Sequence, residues 1–230
     1  MPGSVKATTC DSPDVYKRQT GKGLADPLQA VINRTLPDWR LISIIDDQII
    51  GEVKEAGAPT PEIYQRLISY YKAVEAMGAD VILNTCSSVG DVVYEGRKQV
   101  QVPIIRIDEA MARKAVSESS VIGVVATLRS TLDPTMRLLQ IEAKKLGKTV
   151  TPVDGLADGA YQALVDGKPE LHDECIAKTV MALAEKVDCI LLAQGSMARM
   201  EQKLGQMVSI PVYASPQLCL NAIRDEYDKE

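Results

Sequence analysis

From residue 39 onward, apolar positions fall into short continuous runs separated by stretches of helical period. The runs are WRLISII (39–45), DVILNT (80–85), PIIRI (103–107), SVIGVVAT (120–127), KTVTPV (148–153), DCILLAQ (188–194) and IPVYAS (210–215). Continuous rather than alternating apolar runs predict strands buried on both faces. Between them, apolar residues recur three and four apart, the spacing of helices with one buried stripe. Such segments are LQAVINRTL (28–36), PEIYQRLISYYKAVEAMG (61–78), SSVGDVVYEGRKQV (87–100), DEAMARKAVSE (108–118), DGAYQALVDG (158–167), ELHDECIAKTVMALAEK (170–186), SMARMEQKLG (196–205) and the last residues. Asp26-Pro27 and Asp133-Pro134 read as an N-cap followed by proline at the first helical position, and Gly78 and Gly147 as stops. Strand and helix alternate throughout, which predicts an α/β protein with parallel sheets covered on both faces, a three-layer Rossmann-like arrangement.

The pattern is written twice. An offset of 108 residues carries Asp80 onto Asp188, Ile82 onto Ile190, Leu83 onto Leu191, Ser88 onto Ser196 and Pro103 onto Pro211, without a gap. Asp26-Pro27 and Asp133-Pro134 correspond with a slip of one residue. A period this long makes each copy a small α/β domain. The expected organisation is a first half over 20–107, joined by the C-terminal helix 216–230, and a second half over 108–215. Internal duplication relates the halves by a pseudo-twofold. Under the same offset Cys86 meets Gln194, so the motif is repeated and its thiol is not.

The duplication also demands a partner for SVIGVVAT near residues 12–19, where the chain reads SPDVYKRQ. Two apolar residues among charges and a proline cannot make a buried central strand. DVYKRQ resembles one translated frame of a transposon end used in sequencing libraries. Residues 1–19 are therefore expected to be a foreign or truncated start, lacking the first strand and its loop.

Composition narrows the function classes. The net charge is −5, without the basic stripe a general nucleic-acid binder needs. No apolar run approaches the roughly 18 residues of a membrane span, and the start shows no apolar signal region, so the expectation is a cytoplasmic protein off the membrane. Five cysteines lack metal-type spacing and accompany one histidine, so no metal site is expected and the thiols should be free. GKG (21–23) lacks the ending and the preceding strand of a phosphate loop.

Cys86 is the candidate with chemistry. It stands at the carboxyl end of a predicted strand, where open parallel sheets bind ligands. A helix starting just after it would favour an anion and lower the thiol pKa. Thr85, Ser87 and Ser88 offer hydroxyls and backbone donors suited to a carboxylate. A thiol beside such a cradle suits proton abstraction next to that carboxylate. The blander reading is a small buried thiol packing the sheet.

ILNTCSS (82–88) at one strand end, with ILLAQGS (190–196) at its counterpart in a twinned α/β chain, resembles the aspartate/glutamate racemase superfamily over residues 20–230. The resemblance implies two facing domains with a small carboxylic or amino acid between them. It also implies two cysteines, one per half, acting without a cofactor as opposed bases. Carried over, Cys86 matches the first-half base, and Thr85, Ser87 and Ser88 the carboxylate binders. Thr127, Ser130 and Thr131 match a second-half loop facing the substrate. Gln194, Gly195 and Ser196 fall where the second cysteine loop belongs.

Gln194 departs from that pattern, because an amide has no accessible pKa. One thiol opposite a neutral amide leaves several chemistries open. They are racemisation with another second base, decarboxylation, elimination by a lyase, cis-trans isomerisation, or catalytically silent carboxylate binding. Asp46 and Asp47, at the end of the second strand, are the candidates for a replacement base; their ordinary reading is two solvated loop acids. His172 reads as a surface or capping residue, Cys189 as core, and Cys175 and Cys219 as helix packing. The charges of ARM (198–200) and RKQV (97–100) read as solvated helix faces. A homodimer is the default assembly.

Overall fold

The computed structural model describes residues 6–11 and 25–227; for 6–11 and 25–27 only the backbone course is described. The chain divides into two compact units, Met1–Ile107 with Leu220–Glu230, and Asp108–Cys219.

In the first unit, β1 (Lys6–Asp11), β2 (Arg40–Ile45), β3 (Ile82–Asn84) and β4 (Ile104–Arg106) form one parallel sheet in the order β2-β1-β3-β4. The first strand, which residues 1–19 were expected to lack, is present, and it stands earlier in the chain than the 108-residue offset places it. It lies at Lys6–Asp11, between β2 and β3, and residues 12–24 are outside the described residues. Helices α1 (Ala25–Thr35), α2 (Ile49–Ala56), α3 (Pro61–Ala76) and the short α4 (Val92–Gly96) accompany this sheet. Pro61 sits at the start of α3, where Thr60 Oγ1 caps it by accepting from the Ile63 N–H at 3.4 Å. Gly78, at φ +76°, turns the chain out of α3. Ile63, Leu67, Tyr71 and Val74 form its buried stripe, at helical spacing.

The second unit contains α5 (Glu109–Glu118), β5 (Val121–Ala126), α6 (Arg129–Lys145), β6 (Thr151–Leu156), α7 (Ala160–Val165), α8 (Pro169–Ala184), β7 (Cys189–Leu192), α9 (Glu201–Met207) and β8 (Val212–Ala214). A closing helix, α10 (Ser215–Tyr227), starts in this unit and ends in the first. Its parallel sheet runs β6-β5-β7-β8, the order of the first unit.

Burial on both faces explains the continuous apolar runs. Ile122, Val124 and Ala126 of β5, with Cys189 and Leu191 of β7, join one core cluster; Val125, Ile190 and Leu192 join the other. Alternate residues therefore serve opposite faces and none is left for solvent. Each large aliphatic side chain so buried contributes about 1.5–3 kcal/mol.

Several elements differ from the sequence reading: α1 begins at Ala25, ahead of Asp26-Pro27, and SMARMEQKLG is a 3-10 turn (Gly195–Met200) followed by α9 rather than one helix. Asp133-Pro134 does not open its helix. α6 begins at Arg129, and Pro134 lies buried inside it. The proline forfeits one backbone bond there, and its burial against the core offsets part of the loss. SSVGDVVYEGRKQV is not one helix but a single 3-10 turn (Ser87–Val89) followed by α4. Helix α2, which the sequence reading left out, buries Ile49 and Val53 and ends at Gly57 in the left-handed region.

Candidate active site

The two motif loops share their strand pairing and the bond that closes the turn after each strand. β3 pairs with β4 through Ile82↔Ile104, Leu83↔Ile105 and Asn84↔Arg106. β7 pairs with β8 through Ile190↔Val212, Leu191↔Tyr213 and Leu192↔Ala214, each partner 108 residues on. The Ile82 N–H donates to Pro103 O at 2.8 Å, and the Ile190 N–H to Pro211 O at 2.9 Å. Past the strand end the chain stays extended at Cys86 (φ −106°, ψ 106°) and at Gln194 (φ −126°, ψ 137°). Each then heads a 3-10 turn, closed by Val89 N–H to Cys86 O at 3.2 Å and by Met197 N–H to Gln194 O at 2.9 Å. Cys86 and Gln194 thus occupy the same place in two copies of one loop.

In the first unit, Cys86 is half-buried and packs against the core that includes Ile82, Val89 and Val93. Its neighbours Thr85, Ser87 and Ser88 are buried hydroxyl residues. One 3-10 turn carries a smaller dipole than the long helix the sequence predicted, so the field of a helix end contributes less here. A buried charge lies against the far end of this turn. Arg106 is fully buried at the end of β4. Its Nη1 donates to Asp91 Oδ1 at 3.1 Å and lies 3.5 Å from the Tyr94 hydroxyl, and its guanidinium sits 5.7 Å from the Tyr94 ring centroid. Gly90 ends the 3-10 turn, and a Cβ added there would lie 2.4 Å from the Arg106 Cζ. Arg106 can occupy this place because residue 90 has no side chain. Asn84, the last residue of β3, donates through Nδ2 to the Tyr71 hydroxyl at 2.8 Å, tying the motif strand to α3.

In the second unit, Gln194 is half-buried and its orientation is chemically fixed. The Thr127 N–H donates to Gln194 Oε1 at 2.7 Å, and the Thr127 hydroxyl donates to the same oxygen at 2.8 Å. A backbone N–H cannot accept, so the amide oxygen must face Thr127. Thr127 lies in the turn after β5. Ser130 and Thr131 stand in the first turn of α6 rather than in a loop, Ser130 half-buried and Thr131 buried. Gly195 and Ser196, both half-buried, form the start of the 3-10 turn Gly195–Met200.

The second turn has its own anchor. Arg199, five residues after Gln194, donates from Nη1 to Asp173 Oδ2 at 2.7 Å and from Nη2 to Oδ1 of the same carboxylate. His172 Nδ1 lies 2.9 Å from Asp173 Oδ1. Burial raises the Asp173 pKa, but the hydrogen bonds and charges of Arg199 and His172 outweigh it and leave it lowered. The charge of Arg199 is thus paired, not merely solvated. His172 is not a surface residue either: it is buried, with Ile176, Val180 and Leu183, on the inner face of α8.

Asp46 is buried and occupied. Tyr70 Oη donates to its Oδ2 at 2.9 Å, the Gln48 N–H to its Oδ1 at 3.0 Å, and Arg66 Nε lies 3.0 Å from Oδ2. Asp47 is half-buried and accepts from Gln48 Nε2 at 3.2 Å. Asp46 is therefore not a solvated loop acid. Cys189 and Cys219 are buried, and burial raises both thiol pKa values. Among the described residues, no three His, Cys, Asp or Glu side chains converge to hold a metal ion, and no helix is long and apolar enough to cross a membrane.

The sequence reading missed Arg106, Asp91 and Gly90. Their signal was present: an arginine inside an otherwise apolar strand, opposite a glycine four residues past the motif cysteine.

The sequence profile of the family described as Asp/Glu/Hydantoin racemase matches residues 26–223. No curated protein sequence matches the chain. Among solved structures, the fold is shared with an allantoin racemase from Klebsiella pneumoniae at 19% identity and TM-score 0.67, covering 96% of this chain and 87% of that one. A glutamate racemase from Bacillus anthracis shares it at 14% identity and TM-score 0.70, over 99% and 83%. An aspartate racemase from Picrophilus torridus shares it at 14% identity and TM-score 0.68, over 99% and 96%. At these identities the likeness establishes the fold.

Proposed function

This chain belongs to the Asp/Glu/hydantoin racemase family, and from that premise we propose that it moves a proton at the carbon next to a carboxylate, using Cys86 as the acid/base and no cofactor. The substrate is a small amino or carboxylic acid. The thiolate takes the proton from that carbon, and the carbanion formed is delocalised onto the carboxylate. The protonated thiol then returns a proton. Thr85, Ser87 and Ser88 bind the carboxylate beside the thiol. In the second unit, Thr127, Ser130, Thr131, Gly195 and Ser196 supply binding groups of the same kind.

The observation that carries the one-thiol form of this reading is the bonding of Gln194. Its oxygen accepts both Thr127 bonds, so the side chain offers further partners its N–H donors. The position that mirrors Cys86 is therefore a hydrogen-bond donor to an anion and not a proton acceptor. Decarboxylation, elimination and cis-trans isomerisation use the same single thiol. Asp46 is a poor candidate for the second base because Arg66, Tyr70 and Gln48 already engage its oxygens. That same asymmetry favours a second reading, a catalytically silent carboxylate binder.

The thiol discriminates the two. Alkylation of Cys86 by iodoacetamide that is fast at pH 7 and slowed by succinate supports proton transfer. A Cys86 inert until pH 9, in a protein that still binds succinate, sinks it in favour of the silent binder.

A further inference from the structure

We propose that Arg106 is a positioning residue for Cys86: its buried guanidinium, seated under the turn that Cys86 heads, holds that turn through Gly90 and Asp91 and favours the ionised thiol. The inference rests on the reading that Cys86 carries the chemistry.

Three observations converge. First, the register of the sheet puts Arg106 beside Asn84, two residues before Cys86, and the side chain is fully buried. A buried cation is costly unless something uses it or pairs it, and its counterion Asp91 keeps 23% of its side-chain surface exposed. Second, the guanidinium lies against the backbone of the turn itself. A Cβ at Gly90 would come within 2.4 Å of both Cζ and Nη2. Third, the second unit is an internal control. At an offset of 108, Gly90 becomes Ala198, Arg106 becomes Ala214 and Cys86 becomes Gln194. The 3-10 turn still forms there, with the same closing bond. The turn therefore forms without an arginine at the position of Arg106, held in that copy by Arg199 on Asp173 instead. The arginine, and the glycine that admits it, occur only in the copy that carries the thiol.

The 3-10 rise of about 2.0 Å per residue puts Gly90 about 8 Å from Cys86. A full charge at that range, at an effective dielectric near 20, shifts a thiol by about 1.5 pKa units, before Asp91 offsets part of it. Charged and titratable groups bonded to this turn, or to the strand end leading into it, include Arg106 from β4, Asp91 and Tyr94 from the segment after the turn, and Tyr71 from α3 through Asn84.

The test is peptide-resolved alkylation of Cys86 by iodoacetamide across pH, in the full chain, alongside thermal melting. Gly90→Ala alone is expected to melt well below wild type. The double variant Gly90→Ala/Arg106→Ala, which copies the second unit, is expected to regain much of that loss. In the double variant the alkylation midpoint should rise by about one unit, and the rate at pH 7 should fall about tenfold. Asp91→Asn should move the midpoint the opposite way, which a merely structural role for the pair would not do. If the double variant does not fold, Arg106→Met with Gly90 intact carries the same readout. A profile that superimposes on a reactive wild type overturns the role of Arg106 alone, as does a shift of the same sign in Asp91→Asn. A wild-type Cys86 inert below pH 9 overturns the reading of Cys86 and this inference together.

Discussion

Thr127 fixes the polarity of Gln194. Both its N–H and its hydroxyl end on Gln194 Oε1, at 2.7 and 2.8 Å. The position that repeats Cys86 thus holds a donor whose orientation cannot reverse without breaking both bonds. Gln194→Glu keeps the two acceptor bonds, removes the donors and adds a negative charge. Affinity for succinate, measured by titration calorimetry, should fall about 10–100-fold, the worth of a hydrogen bond to a charged group. The melting temperature should change little. Unaltered succinate binding would mean that Gln194 plays no part in carboxylate recognition.

The bond between Asn84 and Tyr71 ties the motif strand to α3 inside the core. Tyr71→Phe leaves a buried amide without that partner and should cost about 1–3 kcal/mol in urea unfolding. Asn84→Leu combined with Tyr71→Phe should cost less than the two single changes together, since the double change leaves no orphaned polar pair. Strict additivity would contradict the coupling.

Asp46 accepts from Tyr70 and Gln48 and pairs with Arg66, whose guanidinium also holds Glu52 at 3.0 and 2.9 Å. Asp46→Asn should therefore lower stability by about 0.5–1.5 kcal/mol and leave turnover within about twofold. A hundredfold loss of turnover in a folded variant would make Asp46 the second base.

The Asp173 carboxyl is held below its ordinary pKa: burial opposes ionisation, and Arg199 with His172 outweighs it. A depressed folded-state value stabilises the fold above the unfolded pKa, about 3.9 for an aspartate, and that contribution is lost as pH falls through the lower folded value. Acid unfolding should therefore steepen below about pH 4 in the wild type. Asp173→Asn should be less stable at pH 7 and show a shallower fall on acidification. Equal slopes would show that the pair is silent.

Strands β5 and β7 were legible because they bury both faces, which forces continuous apolar runs, whereas their order in the sheet was not read from the sequence. The repeated pattern was legible because β3 and β7 keep one register with their neighbours. The place of Cys86 and Gln194 followed from those two facts. Other features were hidden for physical reasons. Helix α2 exposes most of its surface and shows only Ile49 and Val53 as a pattern. Pro134 looked like a helix start because local preference outweighed the packing that draws α6 back to Arg129. His172 looked polar and exposed, but it stands four residues before Ile176 on the buried stripe of α8. Arg106 was read as part of a strand and not as a charge, since sequence spacing cannot show that Gly90 leaves room for a guanidinium.

The central claim is that one thiol, Cys86, moves the proton. Solvent-deuterium exchange followed by NMR, over a panel of amino acids, 2-substituted dicarboxylates and maleate, tests it most directly. The account predicts deuterium entering the carbon next to a carboxylate in at least one acid, with exchange abolished in Cys86→Ala and retained in Asp46→Asn. Exchange that persists in Cys86→Ala, or that never occurs in the wild type across the panel, would contradict it.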